Sequence, residues 1–249
     1  MSEQQPRSSH QQHFTLRMGL PALALGSAVF LGACSQSSTP PPTETGQNTV
    51  YPQDQTALLQ TAVQSADVDA AKAAIAGGAE VNTSLPDGTP LVVLATKNED
   101  TELATALISA GADVNAKDSI DDSAFLYAGA EGLNEILKLT IVHGADVSST
   151  NRYGGTALIP AAEHGHTKTV KILLDAGVPV DHINNLGWTA LHEAIVLGDG
   201  GSRQVETVRL LLVGGADQNI PDGNGTSPRE LAAQQGYTDI VSVLDGNNR

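Results

Sequence analysis

The chain is short of aromatic rings, of cysteine and of positive charge. Phe, Tyr and Trp together make up 3% of its 249 residues, against 40% hydrophobic residues overall. A core built on Ala, Leu, Ile and Val with so few rings implies closely approaching helices. Cys34 is the one cysteine. This excludes an intrachain disulfide and a cysteine zinc cluster. Lys and Arg number 13 against 28 Asp and Glu, a formal charge of −15. Phosphate backbones are gripped by clustered cations, so nucleic-acid binding is excluded as a function class. No glycine run is followed by Gly-Lys-Ser or Gly-Lys-Thr, and no nucleophile stands at a recognisable spacing from a base. The sequence therefore reads as that of a non-enzyme, with no metal and no cofactor.

The N-terminus reads as an address. Arg7 and Arg17 precede an apolar run from Met18 to Ala33 that is too short for a transmembrane span and carries Pro21 and Gly26. It ends in Leu31-Gly32-Ala33-Cys34, which resembles the lipobox of bacterial lipoproteins. That resemblance implies cleavage before Cys34 and acylation of its thiol, and two or more acyl chains make a stable anchor. An ordinary secretory signal with a chance cysteine is the alternative. Residues 34–55, rich in Ser, Thr and Pro, read as a flexible tether, because such a stretch cannot bury enough apolar surface to fold. The expected location is the cell envelope, lipid-anchored and periplasm-facing. Ser35 after the cysteine favours the outer membrane in a Gram-negative host. A soluble periplasmic or secreted protein is the alternative.

A period dominates the rest. Gly78-Ala79, Gly111-Ala112, Gly144-Ala145, Gly177-Val178 and Gly215-Ala216 place glycines 33, 33, 33 and 38 residues apart. A second marker series, Ala57, Thr89, Ser123, Thr156, Thr189 and Ser227, suggests a one-residue insertion near Lys97–Asp100. A five-residue insertion falls around Gly198–Ser202. Each unit reads as helix, loop, helix, turn. In the fourth, Thr156 is expected to cap a helix over 157–164, and a second helix is expected over 167–175. No unit can bury its apolar face alone, so stacking must supply the core.

Gly155-Thr156-Ala157-Leu158, Ala161-Ala162, Gly165-His166, Val170–Leu174 and Gly187–His192 together resemble the ankyrin repeat consensus. The resemblance implies an all-α solenoid of about six helix-loop-helix units joined by β-turn or hairpin-like loops. The expected units are about 56–83, 84–117, 118–150, 151–183, 184–221 and 222–245. Residues 1–33 form the expected signal and 34–55 the tether. His166 and His192 fall on consensus histidines whose rings bond nearby backbone, and His164 is expected at an exposed helix end.

Ankyrin-like proteins bind partners through turn tips and the first helix of each unit. Carried onto this chain, that implies an apolar stripe of Ile120, Tyr153, Leu186, Trp188, Val196 and Leu197, with Arg152 beside it. Burial of Trp188 along its own turn, and of Val196 and Leu197 under the 198–204 loop, is the competing reading. The expected function is a monomeric scaffold or adaptor for an unidentified protein in the envelope, touching membrane only through its lipid. Envelope ankyrin proteins of similar layout serve oxidative-stress defence, including support of a catalase, so the resemblance implies that setting. An immunity or antitoxin-like protein that blocks a secreted effector is the alternative.

Overall fold

The computed structural model describes residues 52–247. The signal segment, Cys34 and the tether as far as residue 51 lie outside the described residues. Twelve helices follow: α1 (Pro52–Gln64), α2 (Val68–Ala76), α3 (Leu91–Lys97), α4 (Thr101–Ser109), α5 (Ala124–Ala130), α6 (Asn134–Val142), α7 (Leu158–Glu163), α8 (Thr167–Asp175), α9 (Ala190–Val196), α10 (Ser202–Val213), α11 (Pro228–Gln234) and α12 (Thr238–Gly246). They form six pairs. A lone β-bridge between Ser84 and Pro90 stands outside any strand. Helix α1 begins at Pro52, so the last four residues of the 34–55 stretch read as tether belong to the helical array.

Packing follows two rows. The first helices of neighbouring pairs pack together (α1, α3, α5, α7, α9, α11), and the second helices do the same (α2 through α12). The sequence permits this because small and large residues recur in register. Ala95, Ala128, Ala161, Ala194 and Ala232 occupy one position of five successive units, and each is fully buried. Val92, Phe125, Leu158 and Leu191 fill another. Methyl groups in the first column let the helices approach, and the larger side chains of the second fill the space between units. Gly129 marks a close approach within the first row: a Cβ there would stand 2.7 Å from that of Ala157.

The turns are stitched across units as well. Asn82 donates to the Gly111 carbonyl and accepts from the Asp113 amide, and Asn115 repeats this with Gly144 and Asp146. The clasp skips the next joint. There the equivalent residues are Ser148, whose hydroxyl bonds Asp146 instead, and Pro179, which has no N–H to offer. His182, donating to the Gly154 carbonyl at 2.6 Å, and the Asn185 amide, donating to the Tyr153 carbonyl at 3.0 Å, tie that joint nearer its tips.

Two further expectations are corrected. The second unit carries no insertion, because Pro90, not Thr89, holds the cap position of α3, 33 residues before Ser123. Glu99 (φ 57°) and Asp121 (φ 62°) stand where sibling units place positive-φ Gly132 and Gly154, which confirms an unbroken 33-residue register. Thr89-Pro90-Leu91 imitates the consensus one residue out of step. The second correction concerns Thr156, which does not cap α7. In sibling units the cap hydroxyl accepts the amide three residues on: Leu126 for Ser123, His192 for Thr189 and Glu230 for Ser227. The cap carbonyl takes the amide four residues on (Tyr127, Glu193, Leu231). Four residues after Thr156 stands Pro160, without an N–H. The Thr156 carbonyl takes the Ile159 amide instead, and the fully buried hydroxyl is left with no partner. The helix shortens to Leu158–Glu163. The expected second helix over 167–175 matches α8.

The 38-residue unit keeps its extra residues between α9 and α10. Three lengthen the start of α10 to Ser202, and the rest widen the turn. That turn docks on the next unit: Tyr237 donates from its hydroxyl to the Gly198 carbonyl at 3.0 Å, and its ring fills the space where a Cβ of Gly200 would lie.

Candidate functional site

The tips of four successive turns are built by one device. A side-chain oxygen accepts the amides two and four residues on. Asp118 holds Ile120 and Asp122, Asn151 holds Tyr153 and Gly155, Asn184 holds Leu186 and Trp188, and Asp222 holds Asn224 and Thr226. Asx side chains mimic a turn of backbone in this way and present the residue two positions on at the tip. Ile120, Tyr153 and Leu186 are therefore exposed at 33-residue intervals, at 44%, 44% and 62% of their surface. Isolated exposed apolar residues need no explanation, but three at one position of consecutive units form a row.

The candidate residues divide. Ile120, Arg152, Tyr153, Leu186 and Leu197 are exposed, whereas Trp188 and Val196 are half-buried. Leu197 follows α9 as its C-cap and keeps 44% of its surface. The inserted turn leads to Tyr237 and leaves Leu197 uncovered. Arg152 lies over the Tyr153 ring, 4.6 Å from its centre, and reaches Asp122 at 3.5 Å. Lys97, at the end of α3, pairs with Asp118 at 2.6 Å and Asp122 at 3.0 Å. Lys97 and Arg152 are thus both engaged by carboxylates of the Ile120 tip.

Sequence reading missed Glu193. In the column Leu94, Tyr127, Pro160, Glu193, Leu231 it is the one ionisable carboxyl, and it is 6% exposed. The side-chain amide of Asn184, itself buried, donates to it at 2.7 Å. Burial, then the nearby charge of Glu163, pushes its carboxyl up to about 7 against the lowering effect of that hydrogen bond. A single acid in an otherwise uncharged column was the available signal.

The histidines are structural. His192 Nδ1 accepts from the Thr189 amide at 3.1 Å and closes a capping box with Thr189. Burial lowers its pKa. His164, exposed at the end of α7, donates to the Ala130 carbonyl of the preceding unit at 3.1 Å. The His166 ring packs where a Cβ of Gly132 would lie, rather than bonding backbone as expected, and meets His164 edge-on. Among the described residues no three His, Cys, Asp or Glu are placed to hold a metal, and no helix is long and apolar enough to cross a membrane.

Comparison with known proteins agrees with this geometry. A family model of ankyrin repeats in three copies matches residues 125–222, and a single ankyrin repeat model matches 88–119. A stretch of 52 residues, 21% of the chain, is 46% identical to the ankyrin repeat protein YahD of Escherichia coli (strain K12) and spans 26% of that relative's length. The crystal structure of an ankyrin repeat domain from Acinetobacter baumannii AYE superposes with a TM-score of 0.74 at 47% identity, over 76% of this chain and 97% of that one. The ankyrin repeat protein EF0377 superposes at 0.73 with 41% identity, again over 76% and 97% of the two chains. The repeat register, the paired-helix stack and these similarities together show that the chain belongs to the ankyrin repeat family.

Proposed function

We propose that the chain is a non-catalytic adaptor that binds a protein through the row of turn tips and the adjoining end of α9. Ankyrin repeats are protein-interaction scaffolds. The observation that carries the reading to this face is the exposure of Ile120, Tyr153 and Leu186 at one position of three consecutive units, with Leu197 exposed at the C-terminal end of α9. Large apolar residues at the centre of a surface are the usual anchors of protein recognition. The test is capture of cellular partners with the wild-type chain and with a Tyr153→Ala, Leu186→Ala double variant. Partners lost by the variant at unchanged helicity support the reading, and unchanged capture overturns it.

The same reading places the array on the cell envelope, hung from an acylated Cys34. The lipobox-like Leu31–Cys34 and the Ser/Thr/Pro stretch after it support this. Metabolic labelling with an alkynyl fatty acid tests it: label on the wild type and not on Cys34→Ser is expected, and no label on either contradicts it. The charge of −15 favours one second reading, an immunity-like protein that occludes a basic secreted effector.

A further inference from the structure

Carboxylates without an ion-pair partner stand at one tip of the row and at the C-terminal ends of the first helices. Asp121 stands at the Ile120 tip, Glu131 caps the end of α5, Glu163 ends α7 and Asp199 follows Leu197. None takes part in an ion pair among the described residues, and Lys97 and Arg152 are engaged by Asp118 and Asp122. Arg203, at the start of α10, lies toward His166 and pairs with none of these carboxylates. Glu193 is the most exacting of these groups. It is nine-tenths buried, Asn184 donates to it, and Glu163 ends α7, which packs against α9 and brings its charge close enough to be felt. It is also linked to two exposed parts of this face. Through Asn184 it is linked to the tip that carries Leu186, and one helical turn on from it stand Val196 and Leu197.

A buried carboxylate beside a second carboxylate is costly unless a cation completes it. Apolar neighbours, which exclude water, raise the strength of any charge pair formed there. A second copy of this chain would bring the same acidic face and repel it. A nucleic acid would do the same.

We propose that this face takes a protein segment in which bulky apolar side chains are flanked by Lys or Arg, the apolar groups lying on Tyr153, Leu186 and Leu197 and one cation seated between Glu163 and Glu193. The inference rests on the protein-binding reading of the row and adds the chemistry of the partner. The burial that pushes the Glu193 carboxyl up to about 7 in the free protein is the desolvation that an incoming cation offsets.

A random-peptide phage library panned against the full chain, immobilised at its C-terminus, tests this without knowledge of the natural partner. The expected consensus joins one or two large apolar residues to Lys or Arg within a few positions. Selected peptides are expected to lose about tenfold in affinity on the Glu163→Gln, Glu193→Gln double variant and comparably on Tyr153→Ala, Leu186→Ala. Glu163→Gln alone, at a half-exposed helix end, should cost about threefold and guards against a folding defect from the buried substitution. Peptides that need Tyr153 and Leu186 but contain no cation, or keep their affinity on both Gln variants, overturn the cation seat and leave the protein-binding face standing. An absence of enrichment, or peptides indifferent to all four residues, overturns both.

Discussion

The side-chain amide of Asn184 donates to the carboxylate of Glu193 at 2.7 Å, and the two residues expose 7% and 6% of their surface. The same Asn184 holds the Leu186 and Trp188 amides through its oxygen. The tip that carries Leu186 is therefore keyed to the interior of α9, whereas the Asn151 tip is tied to the next turn through the Gly154 and Tyr153 carbonyls.

This arrangement has a pH signature. The Glu193 carboxyl rises from an ordinary 4.5 to about 7 on folding. Between these values the folded chain holds the proton more tightly than the unfolded chain. The group's contribution is complete below pH 4.5 and is lost as the pH climbs through 7. Glu193→Gln is neutral throughout and can keep the Asn184 bond. Its stability relative to the wild type should rise between pH 5 and pH 8, by at most about 3 kcal/mol. Paired urea titrations across that range check it, and parallel curves would remove the buried acid from the account.

Two threonines at the same repeat position should respond in opposite ways. Thr189 caps α9 and joins a capping box with His192, so Thr189→Val should cost about 1 kcal/mol. The Thr156 hydroxyl is fully buried without a partner, so Thr156→Val should be neutral or stabilising by up to about 1 kcal/mol. Thermal melts of the two variants decide between this and a uniform capping role.

Glycines of the later units should separate by their surroundings. Gly200 combines φ 68° with the Tyr237 ring 2.3 Å from any Cβ, whereas Gly225 has φ 81° and open space. Ala at position 225 should cost about 1 kcal/mol, the backbone penalty alone. At position 200 the cost should exceed that, because the inserted turn must leave Tyr237. Equal losses in denaturant titrations would mean that the insertion does not dock.

Much of this architecture was legible because it is written in a period. The Gly-Ala spacing located all five joints, and the Val170–Leu174 pattern gave α8 with its observed ends. What escaped notice depended on one residue acting on another outside the pattern. Pro160 silences the cap at Thr156 by lacking an N–H, a pairing four residues apart that the consensus match at Thr156 concealed. Thr89-Pro90 copied the consensus one residue early, and the backbone settled the register through Glu99 and Asp121. Among the site residues the resemblance placed Ile120, Tyr153 and Leu186 at turn tips, and Asx turns hold them exposed there. Trp188 and Val196 were placed in the row by register alone, and their half-burial depends on neighbours that spacing does not show. The importance of Glu193 could have been seen only by asking which column of the repeat tolerates a charge.

The claim that this face is the one that meets a partner is tested most directly by a photo-crosslinking amino acid introduced in living cells. It would be placed either at Leu186, on the row of tips, or at Val142, which is 79% exposed at the end of α6 on the second row of helices. A discrete covalent adduct from position 186 and none from position 142 is the predicted result. An adduct from position 142 with none from position 186 would contradict the assignment.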